Sequence, residues 1–103
     1  MNIIQDAQEF DKLLNENSKV LVDFYADWCG PCQMVGPILD ELSKEVKDVC
    51  FMKVNVDKLP DLAQRYGVMS IPTLLTFKDA KLQETNIGFK QREELESIIN
   101  SLN

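Results

Sequence analysis

The sequence has no histidine and only three cysteines among its 103 residues. Without histidine, no Ser-His or Cys-His pair can act as a nucleophile and its base, and the commonest metal ligand in proteins is missing. A closed structural zinc site usually takes four cysteine or histidine ligands, so three cysteines cannot complete one within a single chain. We therefore expect no metal site and no histidine-based catalysis.

Basic residues and long apolar runs are also scarce. The chain has 11 lysine and arginine residues against 17 aspartate and glutamate residues, a net charge of −6. Phosphates and anionic lipids repel such a surface, and no apolar run is long enough to span a bilayer. The start, Met1–Asp6, lacks the basic and apolar segments of a secretory signal. We expect no nucleic-acid partner, no membrane partner and a cytoplasmic location.

The remaining composition is typical of one globular domain. Hydrophobic residues make up 45% of the chain and charged residues 27%, and this length can enclose one modest core. No repeat, linker or low-complexity segment interrupts the sequence. We therefore assign residues 1–103 to a single domain.

Hydrophobic periodicity predicts an alternation of strands and helices. Apolar runs indicate strands, and apolar residues at helical spacing indicate helices. The first predicted elements are a strand at 3–4, a helix capped by Asp6 and Glu9 and ending near 15, a strand at 19–26 and a helix at 31–46. A strand at 49–55 and a short helix from 57 to about 66 follow, with Gly67 after the helix. Strands at 73–77 and 82–87, joined by a turn at Asp79-Ala80, precede a last helix along Leu95, Ile98, Ile99 and Leu102. This order favours an α/β fold, a central mixed sheet with helices on both faces, but it leaves the strand order open.

Two cysteines stand where a buried strand is expected to turn into a helix. Cys29 and Cys32 are three residues apart, so their side chains meet on one side of the first helical turn and can form a disulfide. The helix N-terminus favours the thiolate of Cys29, which is the nucleophilic form. Pro31 suits the first helical position and Gly30 keeps the turn open. We expect Cys29 to be exposed and Cys32 to be more buried.

The residues around this pair resemble the thioredoxin family. The resemblance rests on Trp28–Cys32, which is the family's active-site motif in full, on Val22–Ala26 before it and on Ser70–Thr73 after it. It implies the thioredoxin fold and a protein-disulfide reductase that needs no cofactor. It also implies a monomer whose partners are disulfide-containing proteins and a thioredoxin reductase.

The expected reaction is thiol–disulfide exchange. Cys29 attacks a disulfide of a partner protein, and Cys32 then attacks Cys29 and releases the reduced partner. Alternatives are an oxidase or isomerase, a thioredoxin-fold binding module with incidental cysteines, and zinc binding shared between two copies. Glycine and proline between the cysteines, in place of histidine, favour the reductase.

Two charged residues interrupt the apolar strands. Asp23 is expensive to bury as an ion, so a half-exposed position is one interpretation; the resemblance instead makes it a buried acid/base that exchanges protons with Cys32. Lys53 is either an exposed strand lysine or, as the resemblance implies, a neighbour of Asp23.

The resemblance also assigns a surface for partners. Pro72 would form a cis peptide bond beside the disulfide, and the backbone of Ile71 would bind an extended substrate segment. An apolar patch around Cys29 would comprise Trp28, Gly30, Pro31, Met69, Ile71, Gly88 and Phe89. The alternative for Met69 and Phe89 is a place in the core.

Three other positions complete the expectations. Cys50 is interpreted as a small buried hydrophobe, with a regulatory thiol as the alternative. Gln33 replaces the lysine or arginine common in the family, and Ser70 replaces a common glycine. Both border the expected partner surface, so we expect them to affect partner choice and not the reaction.

Overall fold

A computed structural model describes all 103 residues, and it contains five strands and four helices. Their bounds agree with the predicted elements to within a few residues. In chain order they are β1 (Asn2–Ile3), α1 (Ala7–Glu16), β2 (Lys19–Tyr25), α2 (Gly30–Glu45), β3 (Cys50–Asn55), α3 (Pro60–Arg65), β4 (Thr73–Lys78), β5 (Lys81–Ile87) and α4 (Arg92–Asn100).

The strands form one mixed sheet in the order β1-β3-β2-β4-β5. The central strand β2 runs parallel to β3 and antiparallel to β4, and β5 is antiparallel to β4. The nearly continuous apolar run at 19–26 predicts a central strand with parallel neighbours. The central position of β2 is confirmed, but its pairing is parallel on one side only. Because β2 and β3 are parallel, the segments that follow both strands leave from the same edge of the sheet.

Each face of the sheet is covered by two helices. On one face, α1 and α3 pack against Val20, Val22 and Phe24 of β2. On the other face, α2 and α4 pack against Leu21. Successive side chains of a strand point to opposite faces, so Asp23, like Leu21, points to the face that α2 covers. The predicted α/β fold with helices on both faces is confirmed.

Local sequence signals account for several of the element ends. The Asp6 carboxylate accepts a hydrogen bond from the Glu9 amide at 2.8 Å, while the Glu9 side chain accepts from Gln5 and not from Asp6, so the expected reciprocal cap is displaced by one residue. Gly67 has a φ of 64°, as a glycine that ends a helix requires. Asp79 and Ala80 both have positive φ, which a two-residue hairpin turn demands even without glycine.

Candidate active site

The two cysteines lie at the start of α2 and form a disulfide. Cys29 is the residue before the first helical residue, and its Sγ accepts a hydrogen bond from the Cys32 amide at 3.2 Å. The Cα atoms of the pair are 5.2 Å apart, a distance typical of a disulfide. The helix therefore directs an unpaired backbone N–H at the sulfur of Cys29, and such a donor stabilises a thiolate.

The expectation that Cys29 is exposed and Cys32 more buried is wrong. Cys29 is 4% exposed and Cys32 is 5% exposed. The sequence pattern could not show that the segment before β4 packs over Cys29, placing the Ile71 carbonyl oxygen 3.8 Å from Cys29 Sγ. Ala26 packs with Cys29 and Cys32 in a small buried cluster. Any difference in reactivity between the two sulfurs must therefore come from what surrounds them.

Asp23 is fully buried, so the half-exposed interpretation is wrong. Neither carboxylate oxygen has a hydrogen-bond partner in the protein. Burial raises the pKa of Asp23 from 3.8 to about 7, and the positive charge of Lys53 opposes that rise. A carboxyl group with such a pKa can hold or release a proton near neutral pH, as a general acid or base must.

Asp23 and Cys32 both line a cavity of about 480 Å³. Its wall comes from β2, the loop after it, residues 32–40 of α2, β3 and the chain start, and it includes Asp23, Cys32, Lys53, Gln33 and Asp40. A space of this size and polarity can hold several waters. Asp23 and Cys32 thus line one compartment, whose lining includes neither Cys29 nor Ile71.

Lys53 lies beside Asp23 in the sheet, since the two residues are partners in the pairing of β2 and β3. It is half-buried and lines the cavity, with its Nζ 4.4 Å from the centre of the Tyr25 ring. It forms no hydrogen bond to Asp23. Lys53 therefore acts on Asp23 through its field across the cavity and not through an ion pair.

Three large apolar side chains of the expected partner surface face solvent. Trp28 is 71% exposed, Met69 is 96% exposed and Phe89 is 37% exposed. The alternative that Met69 and Phe89 belong to the core is therefore wrong. Gly30 and Pro31 are also exposed, at the first turn of α2.

Backbone contacts join the segments before β4 and after β5. The Ile71-Pro72 peptide bond is cis, as the resemblance implied. The Gly88 amide donates to the Pro72 carbonyl at 2.8 Å, and Gly88 has a φ of 93°, which favours glycine. Because Ile71 contacts Cys29, these bonds bring Pro72, Gly88 and Phe89 to the same end of the sheet as the cysteines.

Sequence reasoning missed two residues that fix Trp28 and did not foresee how Gln33 contributes. Trp28 Nε1 donates to Asp57 Oδ2 at 2.8 Å, and the buried side chain of Asn55 accepts from the Asp57 amide at 2.9 Å. Gln33 Nε2 donates to the carbonyl of Asp27 at 2.8 Å. An Asn-x-Asp run that begins at the last residue of a predicted strand is typical of a side-chain-stabilised turn, and this signal could have identified Asn55.

Outside the disulfide region lie the third cysteine, the other acidic side chains and the helices. Cys50 is half-buried in β3, where burial raises the pKa of its thiol. No group of three or more cysteine, aspartate or glutamate side chains is arranged to hold a metal ion. The helices are all too short or too polar to cross a bilayer.

Comparison of the sequence with known families gives one match over nearly the whole chain. The family model described as Thioredoxin matches residues 2–101. A thioredoxin of Bacillus subtilis is 50% identical over 101 residues, which cover 97% of each chain. A thioredoxin of Mycoplasmoides gallisepticum is 43% identical over 99 residues, covering 96% of this chain and 99% of the relative.

Solved structures give the same result. A thioredoxin of Plasmodium falciparum superposes with a TM-score of 0.94 at 31% identity, and each chain is covered in full. A mitochondrial thioredoxin of Saccharomyces cerevisiae in its oxidised form superposes with a TM-score of 0.91 at 38% identity, covering 99% of this chain and 95% of the other.

Proposed function

This chain belongs to the thioredoxin family, and on that premise we propose how its residues divide the work of protein-disulfide reduction. It is a thiol–disulfide oxidoreductase with a redox-active pair, Cys29 and Cys32. The observation that carries the assignment is the disulfide at the N-terminus of α2, in a chain that matches the family over residues 2–101.

Cys29 is the attacking residue in this proposal. Its thiolate attacks one sulfur of a partner's disulfide, a mixed disulfide forms, and the partner's other sulfur leaves as a thiolate that takes up a proton. The Cys32 amide, 3.2 Å from Cys29 Sγ, and the positive end of α2 support the thiolate.

Cys32 resolves the mixed disulfide. As a thiolate it attacks Cys29 Sγ, the Cys29–Cys32 disulfide forms, and the partner leaves with both of its sulfurs reduced. Cys32 must first lose a proton. We assign that proton to Asp23, which shares the cavity with Cys32 and whose pKa of about 7 suits a base at neutral pH. Lys53 tunes Asp23 through its charge.

Partner proteins are proposed to bind on the exposed apolar side. An extended segment would lie along the backbone of Ile71, next to the cis-Pro72, and bring its disulfide to Cys29. The side chains that would cover it are exposed or half-exposed, which suits recognition of many sequences by apolar contact. This surface comprises Trp28, Gly30, Pro31, Met69, Ile71, Gly88 and Phe89.

Family membership implies disulfide-containing substrates and a thioredoxin reductase as partners. We propose further that the chain acts as a single domain and a monomer, in the cytoplasm. Two of its three cysteines form the reactive pair, and a structure that does not depend on structural disulfides suits a reducing compartment.

The direction of electron flow is the first quantity to measure. We would titrate the Cys29–Cys32 pair against a graded thiol–disulfide buffer, with the fluorescence of Trp28 as the readout. A potential well below that of the glutathione pool is expected, because such a pair donates electrons. A potential well above it would mean that the protein oxidises its partners. Full biological function in a Cys29→Ser/Cys32→Ser double variant would instead indicate a binding module.

A further inference from the structure

The loop between β3 and α3 reaches the active-site segment through a short series of hydrogen bonds. Asn55 is the last residue of β3, and its side chain is 6% exposed. Its Oδ1 accepts from the Asp57 amide at 2.9 Å and from the Lys58 amide at 3.3 Å. Asp57 in turn accepts from the indole of Trp28 at 2.8 Å.

The backbone of Asn55 strengthens the same turn. Its carbonyl accepts from the Leu59 amide at 2.9 Å, and the next residue, Val56, donates to the Tyr25 carbonyl at 2.9 Å. Asn55 is also the partner of Tyr25 in the pairing of β2 and β3. The turn therefore begins at the point where the chain leaves β2 for the cysteines, and its geometry decides where the Asp57 carboxylate lies.

We propose that Asn55 is a positioning residue for partner binding, acting through Asp57 on Trp28. Trp28 is mostly exposed, so packing alone holds its ring weakly, and the bond to Asp57 fixes it beside Cys29. Asp57 is itself exposed; what fixes it is the turn whose amides Asn55 binds. An ordered Trp28 spares a partner the entropy of ordering it on binding. This role rests on the proposed use of Trp28 in docking.

The test compares Asn55→Ala with Asn55→Asp, because aspartate keeps an acceptor oxygen at the same place. Trp28 is the sole tryptophan, so time-resolved fluorescence anisotropy reports on its ring alone. In Asn55→Ala the fast local motion of Trp28 is expected to increase, and KM for a protein disulfide is expected to rise by about threefold to tenfold with little change in kcat. Asn55→Asp is expected to restore both properties.

Three further variants separate positioning from stability and test whether Asn55 acts through Asp57. Ile99→Val, on the buried face of α4, removes one methylene from a core cluster that contains no residue of the loop, and it is expected to leave Trp28 anisotropy and KM unchanged. Asp57→Ala is expected to reproduce the effect of Asn55→Ala. The double variant Asn55→Ala/Asp57→Ala is expected to change Trp28 anisotropy and KM no more than the single variant with the larger effect. Additive effects, or unchanged anisotropy in Asn55→Ala, would overturn the proposal. The anisotropy measurement needs no turnover, so it tests the positioning of Trp28 even if the proposed function fails.

Discussion

The two sides of the Cys29–Cys32 disulfide differ in almost everything except burial. Next to Cys29 lie the Ile71 carbonyl and the exposed side chain of the adjacent residue, Trp28. Beyond Cys32 lies a cavity with a buried acid and a lysine. The sulfurs themselves are almost equally covered. One side is thus suited to binding partners and the other to moving a proton.

Under the proposed function, this difference explains how one small motif does two tasks. Partner binding needs a surface that tolerates many sequences, and apolar contact with an exposed backbone provides this. Proton transfer needs a carboxyl group whose pKa is near the working pH, and burial provides this. A carboxylate placed among the docking residues would be solvated and would titrate in its ordinary range, so the two tasks require separate sides.

The largest effect is expected from exchanging the cysteines one at a time. Cys29→Ser should lower the turnover of protein-disulfide reduction by at least about a thousandfold, because it removes the nucleophile. Cys32→Ser should also stop turnover, but it should accumulate mixed disulfides with substrate proteins, since the resolving step is lost. Mass spectrometry of non-reduced mixtures measures the difference.

Both variants have a common control in Cys50→Ser, which leaves the reactive pair intact. It should reduce substrates at the wild-type rate, because Cys50 lies in β3 and outside the small cluster around the disulfide. Mixed disulfides that formed equally in the two active-site variants would contradict the assignment of distinct roles to the two sulfurs.

The next effect concerns the acid on the cavity side. The pKa of Asp23 rises from 3.8 to about 7 on folding, so the folded state binds this proton more tightly than the unfolded state. Its contribution to the free energy of unfolding is therefore full below about pH 4 and falls as the pH rises to about 7, by at most about 4 kcal/mol. Relative to wild type, Asp23→Asn should gain stability over this range. Urea unfolding of the disulfide form at several pH values measures it.

A difference between the variant and the wild type that stayed constant from pH 4 to pH 8 would mean that Asp23 titrates normally. The same variant also tests the mechanism. Near neutral pH it should slow turnover more than it changes KM, because Asn cannot accept the proton of Cys32. A change confined to KM would mean that Asp23 contributes to partner binding and not to proton transfer.

The sequence predicts each side only as far as the residues that form it are close together in the chain. The strand, turn and helix that carry Cys29 and Cys32 are contiguous in the sequence, so hydrophobic periodicity and turn-forming residues identified them. The proposed docking side combines Trp28 with residues 69–72 and 88–89, and only the antiparallel pairings of β2, β4 and β5 bring these together. Local patterns contain no strand order, and for the same reason the cover over Cys29 and the contact of Asp57 with Trp28 were missed.

A smaller effect is expected on the docking side. Phe89→Ala should raise KM for a protein disulfide by about threefold to tenfold, because a half-exposed aromatic side chain is lost from the surface. Leu82, on the exposed strand β5 and 48% exposed, offers a matched control. Leu82→Ala should leave KM unchanged, and neither variant should alter the pH dependence of unfolding. Equal effects on KM would show that the docking surface extends along β5.

The smallest effect is expected from Lys53→Met, which keeps the aliphatic stem of the side chain and removes its charge. Lys53 lowers the pKa of Asp23, against the larger effect of burial. Without the charge that pKa should rise further, so the loss of stability with increasing pH should extend to higher pH. Following the Asp23 carboxyl carbon by NMR during a pH titration measures the shift directly. KM for protein substrates should not change, because Lys53 faces the cavity and not the docking surface. A changed KM with an unchanged Asp23 titration would mean that the two sides are not independent.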